Sequence, residues 1–179
     1  MAEPPAFLAA DTRRRQAFDF AAAAYDGKLR RGQHDLEHPL LTAALLDRAR
    51  ADDDLVVAGL LHDVLEDTDA DPQELRARFG DRIADVVIAV SEDPDIDDYH
   101  DRKAALREKI VQAGPDAAIV ALADKVATVD DLRETGEPLS PEREHHFRET
   151  LRLLQERCGD LPFATELRAG LDELTRSAG

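Results

Sequence analysis

Apolar residues recur every three to four positions along most of this chain, and strict alternation of apolar and polar residues is weak. That period belongs to amphipathic helices, with one face turned to a core. Between the periodic runs stand Pro, Gly and Asp, the residues that start and stop helices. The first predicted helix runs from Thr12 to about Arg30, and Pro39 opens a second that ends near Arg50. Asp53 or Asp54 caps a third, which continues to residue 67. Asp71-Pro72 starts a fourth that Gly80 ends, and Asp81 to Ser91 forms a fifth. A sixth runs from Asp97 or Asp98 to Ala113, and a seventh from Pro115 to about Glu134. Ser140-Pro141 opens the eighth, which stops at Cys158-Gly159, and Pro162 begins a ninth. No linker or repeat divides the chain. The expected fold is an all-α bundle of about nine helices, with residues 1–179 as a single domain.

The pattern is interrupted at LLHDVLEDTD, where His62, Asp63, Glu66 and Asp67 follow an apolar run. On a continuous helix with His62 at zero, Glu66 lies near ~40°, Asp63 near ~100° and Asp67 near ~140°. Leu60, Val64, Val57, Leu61 and Leu65 fall between roughly 160° and 300°. One face is therefore apolar, and the other carries an imidazole and three carboxylates. A solvated acidic face would account for the carboxylates, but it does not explain a histidine beside an aspartate directly after Gly59-Leu60-Leu61.

Composition narrows the function. The 179 residues are 43% hydrophobic but only 4% aromatic, without Trp, so the core is built from Ala, Leu, Val and Ile. The formal net charge of −16 repels nucleic acid and anionic membranes, and no nucleic-acid or membrane partner is expected. An anionic small molecule then needs a basic patch, a metal ion or both. The single cysteine, Cys158, excludes an intramolecular disulfide. The N-terminal segment is no secretory signal and no apolar run approaches ~18 residues, so the chain reads as soluble and cytoplasmic. Acid-rich DTDADP is no calcium loop, because position six from Asp67 is Pro72 and position twelve is Arg78.

A divalent cation suits His62-Asp63, which offers one nitrogen and one charged oxygen. Mixed ligands of that kind favour Mn²⁺, Fe²⁺ or Mg²⁺ over a thiolate zinc site. The spacing is not HExxH. His38 stands just before Pro39 at a helix start, and Asp124 interrupts the apolar run AAIVALADKVATV. One ion would explain His38, His62, Asp63 and Asp124 together. His145-His146 reads as part of an exposed helix, without a role.

HPLLTAALL, AGLLHDVLEDTDADPQELRARFGDRIADVV and ALADKVATVDDL, in that order, resemble the hydrolase domain of RelA/SpoT proteins in the HD phosphohydrolase superfamily. The resemblance covers about residues 17 to 134. It implies an HD-type bundle that hydrolyses the alarmone (p)ppGpp at its 3′-pyrophosphate, with a small anionic nucleotide as substrate. By position it places Mn²⁺ ligands on His38, His62, Asp63 and Asp124, and the water-handling pair on Glu66 and Asp67. Lys28, Arg30 and Arg31 fall on its basic substrate-binding stretch, with Arg30 against the base. Thr128 and Asp131 fall on the nucleoside side. Thr128 stands where the family has Asn, Asp130 where it has Arg, and Ala127 where it has an aromatic residue or His. These departures leave open an adenine alarmone, NADPH or another nucleotide, and also a protein that binds metal or nucleotide without turnover. Helices after residue 140 either pack on the domain or form a homo-oligomer contact.

Overall fold

The computed structural model describes residues 3–26 and 36–177, together with the backbone of two-residue strands at 29–30 and 33–34. The chain divides into two compact units, Met1–Ser91 and Glu92–Gly179. Among the described residues all regular structure is helical apart from one small hairpin, so the all-α expectation holds.

In the first unit α1 is Ala6–Ala9, α2 Thr12–Ala24 and α3 Glu37–Arg48. They are followed by α4 Asp53–Leu61, α5 Val64–Asp67, α6 Pro72–Phe79 and α7 Asp81–Val90. β1 (Leu29–Arg30) and β2 (Gln33–His34) pair antiparallel, with Leu29 opposite His34. Helix α4 is the centre of this unit. Every residue from Leu55 to Leu61 is buried, and α4 packs on α2, α3 and α7. Aspartates start the helices by accepting backbone N–H groups. Asp11 caps α2 at 2.8 and 3.0 Å, Asp71 caps α6 at 2.7 and 3.0 Å, and Asp52 caps α4 at 3.1 Å. Each such cap contributes about 1 kcal/mol.

The second unit contains α8 Tyr99–Ala113, α9 Pro115–Thr135, α10 Pro141–Cys158 and α11 Ala164–Ser177. Helix α9 is its spine and packs on the other three. Ala117, Ala118, Val120, Ala121, Leu122 and Ala123 line its core side. Gly114, with φ +93°, closes α8 and leads directly into α9, a turn that residues with a Cβ rarely adopt.

Eleven helices are described where about nine were expected. The four-residue α1 is additional, and the expected third helix is two helices. Its cap is Asp52 rather than Asp53 or Asp54. The first long helix ends at Ala24 rather than near Arg30, and the hairpin follows. Pro39 is the third residue of α3, not its first.

One packing contact bears on the site. Gly59 of α4 faces α3 so closely that a Cβ would run into Leu46 Cδ1, and Leu46 is fully buried. Gly59→Ala gains about 1 kcal/mol of helix propensity against about 1–3 kcal/mol of overpacking. We expect a less stable protein, with Tm lowered by a few degrees in a thermal melt.

Candidate metal centre and active site

His62 and Asp63 lie where α4 stops and α5 begins. The chain turns there, and the helical ladder restarts with Glu66 and Asp67 N–H groups both donating to Asp63 O at 3.0 Å. The expected continuous helix through residue 67 is thus broken at the two residues with ligand chemistry. Glu66 is exposed and Asp67 half-buried, both on α5. The break detaches their direction from the wheel calculated for an unbroken helix.

His62 is 3% exposed. Its Nδ1 lies 2.8 Å from Gly59 O, a carbonyl that can only accept, so Nδ1 carries the proton and donates. Nε2 is then the lone-pair nitrogen, 3.2 Å from Asp63 Oδ2. Two lone-pair atoms at that distance repel each other unless a proton or cation lies with them. This donor set fits a divalent cation of the Mn²⁺ type, and a carbonyl-fixed tautomer is the usual support for a histidine ligand.

His38, second residue of α3, brings a further imidazole to the same place. The His38 and His62 rings meet edge to face, with centroids 5.2 Å apart and planes at 61°. Each offers a ring nitrogen within 4.8 Å of the other. The α3–α4 contact at Gly59 allows this approach, since Thr42 and Leu46 follow His38 by one and two turns. The first unit therefore brings His62 against both His38 and Asp63, and all three are side chains of metal-ligand type.

In the second unit Asp124, Thr128 and Asp131 share one stripe of α9. They recur at i, i+4 and i+7, and each is half-buried; of the residues beside them all but Asp130 are buried. Ala127 is fully buried. Asp130 points ~240° from Asp124 around the helix and pairs with Arg133 at 3.4 Å. Of the three departures on α9, only Thr128 lies on the stripe.

Lys28 and Arg31 lie outside the described residues. Arg30 belongs by its backbone to β1, and its side chain lies outside them as well.

His146 was expected on an exposed face but is 3% exposed. Its Nδ1 accepts from Arg107 at 3.0 Å, which makes it a neutral imidazole. Burial, with the positive charges of Lys125, Lys103 and Arg107, pushes its pKa from 6.5 down to about 2. The unfolded imidazole gains a proton as pH falls through about 6.5, whereas the folded one gains it only near 2. Stability is therefore lost across that window as pH falls, by about 2 kcal/mol at pH 5. Urea melts at pH 7 and pH 5 should show this loss in the wild-type protein and little of it in His146→Gln. Lys125, whose pairing with the adjacent Asp124 is the other account the sequence offers for that aspartate, is 3% exposed and lies 3.3 Å from it.

Comparison with known proteins identifies the family. The HD-domain family model matches residues 17–156, further than the expected residue 134, so it includes most of α10. The bifunctional (p)ppGpp synthase/hydrolase SpoT of Escherichia coli K12 is 32% identical over 87% of this chain and 23% of its own length. The chain thus spans about a quarter of such curated relatives. The human guanosine-3′,5′-bis(diphosphate) 3′-pyrophosphohydrolase MESH1 is 34% identical over 74% of this chain and 76% of its own. A solved metazoan orthologue of SpoT, one that hydrolyses ppGpp and plays a role in starvation responses, matches with a TM-score of 0.72. That match covers 100% of this chain and 99% of the orthologue at 24% identity, and it establishes a shared fold. With a family match across most of its length and a relative of similar extent, this chain belongs to the HD-domain family, in the group of RelA/SpoT-type hydrolase domains.

Proposed function

We propose that the chain is a Mn²⁺-dependent phosphohydrolase of the cytoplasm that removes pyrophosphate from the 3′ position of (p)ppGpp. The observation that carries this is the meeting of His62 with His38 on one side and Asp63 on the other, with the His62 tautomer fixed by Gly59 O. The relatives' names supply the substrate class. The family match runs through both units, which supports reading them as one functional domain.

In this reading His38, His62, Asp63 and Asp124 hold the ion. When bound, a divalent ion neutralises phosphate charge and acidifies water. Glu66 and Asp67 orient the attacking water, and Glu66 accepts its proton, as a carboxylate placed beside a nucleophile can. The water oxygen bonds to the phosphorus nearest the ribose, the bond from that phosphorus to the 3′ oxygen breaks, and the 3′ oxygen leaves with a proton. Lys28, Arg30 and Arg31 bind the nucleotide, guanidinium groups being suited both to flat rings and to phosphates. Thr128 and Asp131 face the nucleoside from the α9 stripe.

Thr128 favours a second reading of the substrate. A hydroxyl replaces the family's amide at the one substituted α9 position that lies on the stripe, so an adenine alarmone or NADPH remains open. Incubation with Mn²⁺ and separate samples of ppGpp, ppApp, NADPH and simple nucleotides distinguishes them. Pyrophosphate from ppGpp supports the first reading. Pyrophosphate from ppApp alone, or phosphate from NADPH alone, moves the assignment to the second.

A further inference from the structure

Helix α9 carries a second charged residue beside Asp124, and it is the more deeply buried of the two. The Lys125 side chain is 4% exposed, although lysines usually extend their amine to water. Adjacent helical residues point about 100° apart and do not face each other. Even so, Lys125 Nζ lies 3.3 Å from Asp124 Oδ2. The lysine therefore folds back along its own helix, and α10 accommodates it there. The Phe147 ring centroid is 5.5 Å from Nζ, and Phe147 is itself buried. The neighbouring His146 is occupied by Arg107. A buried ammonium is costly without a counter-charge, and Asp124 supplies one.

We infer that Lys125 is a positioning residue for metal binding: its grip on Oδ2 fixes the orientation in which the Asp124 carboxylate meets the ion. The inference rests on Asp124 being a ligand, as in the function proposed above. Outer groups that hold ligating carboxylates typically set metal affinity by about tenfold to a hundredfold. A purely electrostatic lysine would have the opposite effect, because a nearby ammonium repels a divalent cation and its removal would tighten binding.

The test is Mn²⁺ titration of the full chain, with free Mn²⁺ followed by electron paramagnetic resonance and folding checked by circular dichroism. Lys125→Met and Lys125→Leu are both made, so that one folded apolar variant suffices. Each should weaken Mn²⁺ binding by about tenfold to a hundredfold, and Lys125→Arg, which returns donors, should recover part of the loss. If the wild-type chain binds Mn²⁺ and a folded apolar variant binds it equally well or more tightly, the positioning role is wrong. If the wild-type chain itself fails to bind Mn²⁺, the metal reading fails with it.

Discussion

Asp63→Ala should abolish Mn²⁺ binding and lower hydrolysis by on the order of a thousandfold, the equivalent of several kcal/mol of metal assistance. The substitution removes the anionic oxygen that lies 3.2 Å from His62 Nε2. It should leave the fold in place. The start of α5 depends on the Asp63 backbone carbonyl, which accepts from Glu66 and Asp67, and the Asp63 side chain does not cap that helix. Alanine keeps the same carbonyl. Isothermal titration with Mn²⁺ beside a thermal melt separates the two effects: binding heat disappears while Tm stays near the wild-type value. Wild-type Mn²⁺ affinity in the variant would remove Asp63 from the ligand set.

Glu66→Gln is expected to give the opposite pairing, metal retained and turnover lost. The amide has the size of the carboxylate but cannot take a proton from water. General-base catalysis contributes typically about a hundredfold to ten-thousandfold, and a loss in that range is predicted for kcat. Glu66 is exposed on α5, so the change should cost little stability. Full activity in Glu66→Gln would show that the water is handled elsewhere. Together the two variants test a division of labour along one short segment, with ligands at the helix break and water chemistry one turn later.

Much of this was legible in the sequence because helix signals are local. Asp71, Asp98 and Ser140 start their helices where expected, since a capping side chain needs only the next three residues. The His62-Asp63 pair stands out in the sequence as well, because a histidine and an aspartate directly after an apolar run break its pattern. The break between α4 and α5 was not. The apolar period continues through Val64 and Leu65 without Pro or Gly, and the interruption depends on tertiary surroundings. The hairpin after Ala24 was missed because basic LRRG continues a plausible helical composition. Burial of His146 and the folded-back Lys125 depend on how α8, α9 and α10 pack, which the sequence around either residue does not encode. The α9 stripe lies between these cases. Its spacing was present in the sequence, but only packing shows that Ala127 is closed off and Thr128 is not.

The most direct test of the central claim is the product formed from ppGpp. The wild-type chain is incubated with ppGpp and Mn²⁺, the reaction is stopped with EDTA, and the products are resolved by ³¹P NMR. The account predicts loss of the 3′-diphosphate signals with matching growth of free pyrophosphate and an intact 5′-diphosphate. Orthophosphate in place of pyrophosphate, cleavage at the 5′ side, or an unchanged spectrum would contradict it.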